Sequence, residues 1–67
     1  MSEALERIRV YYPDAETVPV LFSGARIGYS IALEPESEPV GFAATKTVAA
    51  RRAEALLQAG GSLPEDL

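Results

Sequence analysis

The apolar positions change period once along the chain. From Ile8 to Leu33 they recur at every second residue, and from Thr45 to Ala59 at every third or fourth. The first regime predicts strands. Ile8, Val10 and Tyr12 share one side, with Arg9 and Tyr11 on the other. Pro13-Asp14-Ala15-Glu16 reads as a turn. Val18, Val20 and Phe22 form the next alternating set, and Pro19 marks their strand as an edge or a bulge, because it cannot donate to a ladder. Ser23-Gly24 reads as a tight hairpin turn. Beyond it Ile27, Tyr29, Ile31 and Leu33 share one face, with Arg26, Gly28, Ser30 and Ala32 on the other. Residues 34–39, with two prolines and three glutamates, form an exposed loop. Val40 to Ala44 reads as a last short strand, and residues 1–7 as a frayed N-terminus capped by Ser2.

The second regime predicts one helix over 45–59, with Thr45 or Thr47 as N-cap and Gly60-Gly61 as the stop. Ala49, Ala53, Leu56 and Leu57 fall on one side, and Arg51, Glu54 and Gln58 opposite; residues 60–67 read as a flexible tail. The expected fold class is therefore α+β. It is a single small domain, 1–67: a three- to four-stranded antiparallel meander over 8–44, with one C-terminal helix packed on one face. The expected core is Ile8, Val10, Val18, Val20, Phe22, Ile27, Tyr29, Ile31, Leu33, Phe42, Leu56 and Leu57.

Composition narrows the chemistry more than the fold. The 67 residues contain no His, Cys or Trp. The commonest carriers of proton transfer, nucleophilic attack and metal ligation near neutral pH are thus missing, and neither a disulfide nor an ordinary zinc site can staple so short a chain. No enzyme activity, cofactor or metal is expected. The net charge of −4 argues against a general nucleic-acid binder. No signal-peptide pattern and no apolar stretch of spanning length is present, so the expectation is a cytoplasmic protein with no membrane role.

Three segments invite a functional reading. Gly41 to Thr47 imitates a phosphate loop between strand and helix, but Thr45 stands where the second glycine belongs and the first glycine is one position too close. An ordinary strand-to-helix junction accounts for it better. The acidic loop carries Glu34, Glu36 and Glu38, which read either as a solvated turn or as an acidic epitope facing a partner. The sheet face away from the helix would show Arg9, Tyr11, Leu21, Arg26, Gly28, Ser30, Ala32 and Ala43, a flat surface with interface-type residues.

In general profile, being small, acidic and free of cysteine, the chain resembles inhibitors from phages and mobile elements, such as anti-CRISPR and anti-restriction proteins. That likeness covers no motif. It implies a non-catalytic protein-binding module that occludes a partner's surface, with the acidic loop imitating phosphates. The expected partner-binding residues are Glu34, Glu36, Glu38, Arg9, Tyr11, Leu21 and Arg26. The alternatives are a small nucleic-acid-binding module on Arg9, Tyr11 and Arg26 or on Lys46, Arg51 and Arg52, and a structural subunit stable as a homodimer or larger homo-oligomer.

Overall fold

The computed structural model describes residues 3–64. The order is α1 (Glu3–Tyr11), β1 (Glu16–Phe22), β2 (Ala25–Ala32), β3 (Val40–Ala43) and α2 (Lys46–Ala59). The strands form one antiparallel sheet in the order β1-β2-β3. This is the expected α+β meander with a C-terminal helix. Ser23 and Gly24 make the predicted two-residue turn, both with positive φ (51° and 81°), the mirror-image geometry that matches strand twist.

One expected element is wrong. The segment assigned to a frayed turn and a first strand is the helix α1. Ile8, Val10 and Tyr12 do alternate, but Ala4 and Ile8 are spaced four apart, and these are the two residues α1 buries. Glu3 and Glu6 lie in its first turn and Arg9 in its last, as the helix dipole favours. The helix ends where Tyr12 N–H donates to the Ile8 carbonyl (2.8 Å) and Pro13 opens a turn closed by Ala15 N–H on the Tyr12 carbonyl (2.9 Å). Arg9 Nε also donates to the Ala15 carbonyl at 2.7 Å, fixing the entry into β1. The proposed cap Ser2 lies outside the described residues.

The second helix begins and ends as read. The Thr45 side chain accepts from Val48 N–H, and Gly61, with φ 79°, turns the chain out. Ser62 N–H donates to the Leu57 carbonyl and Gly61 N–H to the Gln58 carbonyl, the paired bonds of a Schellman stop. The expected tail is partly structured: Leu63 is buried against the core, and Gln58 Nε2 reaches the Pro64 carbonyl at 3.3 Å. Residues 65–67 lie outside the description. Thr45→Ala is expected to cost about 1 kcal/mol by removing the cap bond, read as a shifted urea midpoint at unchanged slope.

Because there are two helices, α2 buries a different stripe. Ala49, Ala50, Ala53, Glu54 and Leu57 are buried, while Leu56 is exposed. Ala50, Glu54 and Leu57 follow i, i+4, i+7 and are the positions a second helix can cover. Glu54, expected on the side opposite Ala49, instead meets Arg7 of α1 through Nε–Oε2 (2.5 Å) and Nη2–Oε1 (2.8 Å).

The core is built mostly of small residues. Among the described residues, seven of the eleven buried apolar ones are alanines, and only Ile8 and Ile31 are large and fully enclosed. From the expected core, Val10, Phe22, Ile27, Phe42 and Leu56 are exposed. Val10 and Leu56 lie on helix positions that no described residue covers; for the strand residues the cause is register. Val18 pairs with Ser30 and Val20 with Gly28, so the large residues of β1 share a face with the small residues of β2. The large residues of β2, Tyr29 and Ile31, point to the other face and join the helices. Reading both apolar sets into one core was therefore the error.

Candidate functional site: the uncovered sheet face

The two faces of the sheet differ in what covers them. Tyr29, Ile31, Leu33, Val40 and Ala43 belong to the cluster that includes the buried residues of α1 and α2. Cross-strand partners and alternation place Val18, Val20 and Phe22 of β1, with Gly28, Ser30 and Ala32 of β2, on the opposite face. Phe42 of β3 joins them, because a Cβ added to Gly28 would meet its ring at 2.8 Å. None of these residues enters the helix-side cluster.

The arrangement is a shallow trough. Its floor is Gly28, Ser30 and Ala32 on the central strand, all buried by their larger neighbours. One wall is Val18, Val20 and Phe22, and the other is Phe42. Phe22 is 68% exposed and Phe42 46%. At 150–250 Å² per aromatic side chain, these two rings alone leave roughly 200 Å² of apolar surface in water. Among the described residues no Lys or Arg is placed on the face, and its one acidic residue, Glu16, sits at the end opposite the hairpin turn, across from Ala32. The bulge in β2 beside Ile27 adds a further exposed apolar residue near the turn, where the register steps between Val20 and Leu21.

The sheet edges are blunted. Pro19 interrupts the outer strand β1, and β3 is only four residues long, with the Phe42 carbonyl accepting from Arg52 Nη1 at 3.0 Å. Association by adding a strand is disfavoured at both edges, while the face stays open.

The residues singled out from sequence do not form one surface. Gly28, Ser30 and Ala32 lie on the open face as expected. Ala43 does not: it is buried 3% exposed in the helix-side core. Leu21 and Arg26 pair across the hairpin on the helix side, where Arg26 and Lys46 each stand 5.4 Å from the Tyr29 ring centre. Arg9 and Tyr11 belong to α1, Arg9 serving the turn described above. Tyr11 and Glu34 line a shallow pocket of about 190 Å³ with Tyr12, Pro13, Asp14, Leu33 and Pro35. Binding pockets for small molecules usually enclose about 300–1,000 Å³.

The acidic loop is exposed throughout. It is not an extended row of carboxylates. Ser37 Oγ accepts from Glu34 N–H and donates to the Glu34 carbonyl, both at 3.0 Å, and Ser37 N–H returns to that carbonyl at 3.1 Å. This turn breaks the alternation that would have aimed Glu34, Glu36 and Glu38 together. Among the described residues no three carboxylates are gathered as a metal site, and no helix is long and apolar enough to cross a membrane.

The feature that sequence reasoning missed is the pair Phe22 and Phe42, both assigned to the core. Uninterrupted counting outward from the Ser23-Gly24 turn sets Val20 against Ile27 and Val18 against Tyr29; the bulge at Ile27 shifts that register by one and sets the valines of β1 against Gly28 and Ser30, and no signal in the sequence marks it. Comparison with known proteins finds no match: no family model fits this sequence, and no curated protein or solved structure is significantly similar to it.

Proposed function

We propose that this protein is a non-catalytic protein-binding module that works through the uncovered face of its sheet, occluding the surface it binds. The observation that carries the reading is the trough itself: a charge-poor apolar surface walled by Phe22 and Phe42, in a protein whose own core is largely alanine. Contiguous exposed apolar surface beside so small a core supports reading the face as an interaction site. The acidic loop lies at the end of the sheet away from the hairpin and would contribute steering toward a basic partner more than affinity.

The test is capture from lysate under nuclease treatment, with three baits compared by quantitative mass spectrometry. Phe22→Ser/Phe42→Ser is expected to lose at least about ten-fold of any stoichiometric protein partner, as removal of central aromatic anchors does. Reversing Glu34, Glu36 and Glu38 to lysine is expected to leave most of that capture at moderate salt. Equal capture by wild type and the phenylalanine variant would remove the face from the mechanism. Capture that disappears with nuclease would favour the nucleic-acid alternative. Tyr29, the aromatic beside two cations, already holds both over its own ring.

A further inference from the structure

We infer that the shallow pocket between the end of α1 and the segment after β2 receives one planar organic cation, the guanidinium of an arginine side chain presented by a protein partner. The inference deepens the reading of this protein as a binding module, on which it rests for the source of the arginine. It uses residues outside the trough.

The pocket is built on backbone that is already tied down. Tyr12 and Leu33 form its inner lining, both half-buried and packed against the core. Tyr11 and Asp14 from one side and Glu34 from the other are its exposed rim. The Tyr12 N–H is spent on the Ile8 carbonyl, and the Tyr12 carbonyl accepts from Ala15 N–H. The Glu34 N–H and carbonyl are both held by the Ser37 turn. Pro13 and Pro35 stiffen the two segments further. A site formed before its ligand arrives loses little binding free energy to ordering.

The lining has two tyrosines and two carboxylates, and no Lys or Arg. Among the described residues neither Asp14 nor Glu34 takes part in an ion pair. The cation nearest in the chain, Arg9, commits its Nε to the Ala15 carbonyl. Glu16, Glu36 and Glu38 flank the same segments in the sequence and add to the negative field. The occupant is therefore positive. A hard metal ion wants six to eight oxygens, whereas this pocket offers ring surface as well as carboxylate. A guanidinium suits both, because it is weakly hydrated, stacks on aromatic faces and meets carboxylates with a planar fork of donors. The volume of about 190 Å³ is small for a whole ligand but fits the head of one side chain whose stem stays outside. Exposed contacts of this kind are individually weak, so the pocket orients a partner that is gripped mainly elsewhere. Ala32 ends the floor of the trough and Leu33 lines the pocket, so one partner can reach both.

The test is a titration of the intact, nitrogen-15-labelled chain at constant ionic strength. The probes are blocked tripeptides with arginine, lysine or citrulline at the centre. The arginine peptide is expected to shift the amides of Tyr11, Tyr12, Asp14 and Glu34 saturably, with a dissociation constant of about 1–10 mM. The lysine peptide should bind about three-fold more weakly or worse, and the neutral citrulline peptide should give no saturable shift. Tyr11→Ser, an exposed change that leaves every charge in place, should weaken the arginine peptide about three-fold or more. Asp14→Asn/Glu34→Gln should weaken it further. Citrulline binding as well as arginine would overturn the inference, leaving an apolar dimple. Equal shifts from arginine and lysine, unmoved by Tyr11→Ser, would overturn it in favour of general attraction to the acidic loop. No saturation by about 50 mM would also overturn it. Tighter binding of free arginine than of the peptide would overturn the partner side chain as the source. The titration needs no partner, so its failure leaves the trough reading intact, and undiminished capture by the Phe22→Ser/Phe42→Ser variant leaves the pocket intact.

Discussion

Gly41→Ala is expected to unfold the domain or leave it barely folded. Gly41 sits in β3 with φ 76°, where a side chain is strained by about 1–2 kcal/mol. The space is closed as well. A Cβ there would lie 2.5 Å from both the Ala49 carbonyl oxygen and the Ala53 nitrogen, and 2.7 Å from the Ala53 Cβ. Two of those atoms are helix backbone, so relief requires α2 to move off the sheet. Overpacking of this kind costs about 1–3 kcal/mol or more beyond the strain. A domain of this size holds only about 3–5 kcal/mol in total. The check is urea denaturation followed by far-ultraviolet circular dichroism, beside Gly24→Ala as control. Gly24 has φ 81° but nothing within 4 Å of the added atom, so it reports the conformational penalty alone. If the two variants lose the same stability, the close seating of α2 on β3 is not what Gly41 provides.

That seating explains why some of the fold was legible in the chain and some was not. The Ser23-Gly24 turn, the Gly60-Gly61 stop and the Thr45 cap are local devices, each using backbone chemistry confined to a few residues, and each appears where the sequence placed it. The run from Ile8 to Tyr12 is different. Its alternation and its four-residue spacing from Ala4 are equally good patterns, and only packing against Ala50, Glu54 and Leu57 selects the helix. Once α1 is misread, Glu54 becomes a surface residue and Leu56 a core residue, which reverses the actual arrangement. The open face was obscured by a related ambiguity. Alternation states that Val18, Val20 and Phe22 share a side, but only pairing with Ser30, Gly28 and Ala25 states which side. The acidic loop looked informative because its three glutamates alternate, whereas the Ser37 turn makes that spacing irrelevant to direction.

Breaking the Arg7–Glu54 pair is expected to have the second large effect, and its dependence on pH identifies the cause. Glu54 is 9% exposed and lies between two helices, while the Arg7 side chain keeps 36% of its surface in water. Removing the arginine strands a carboxylate in a buried position; removing the carboxylate leaves a guanidinium that can still be hydrated. Arg7→Met should therefore lower the melting temperature by roughly 10 °C at pH 7, and Glu54→Gln by clearly less. The hydrogen bonds from Arg7 hold the Glu54 carboxyl below the ordinary carboxylate range, outweighing the opposite push of burial. A carboxyl whose native pKa is depressed adds stability that is fully present above the unfolded value of about 4.3 and disappears as pH falls through the native value. Wild type should then lose stability progressively below about pH 5. In Arg7→Met the bonds are gone and only burial remains, which raises the pKa, so acid relieves the unpaired charge instead of destroying a pair. The melting-temperature gap between wild type and Arg7→Met should narrow steadily from pH 7 to pH 3. The carboxylates that do not meet Arg7 are common to both proteins and cancel in that difference; the exposed Glu3, whose Oε2 lies 4.0 Å from Arg7 Nη1, is the exception, and an exposed pair of this kind adds little. A gap that stays constant with pH would mean that Arg7 holds α1 to α2 through its methylene stem and not through the charge on Glu54.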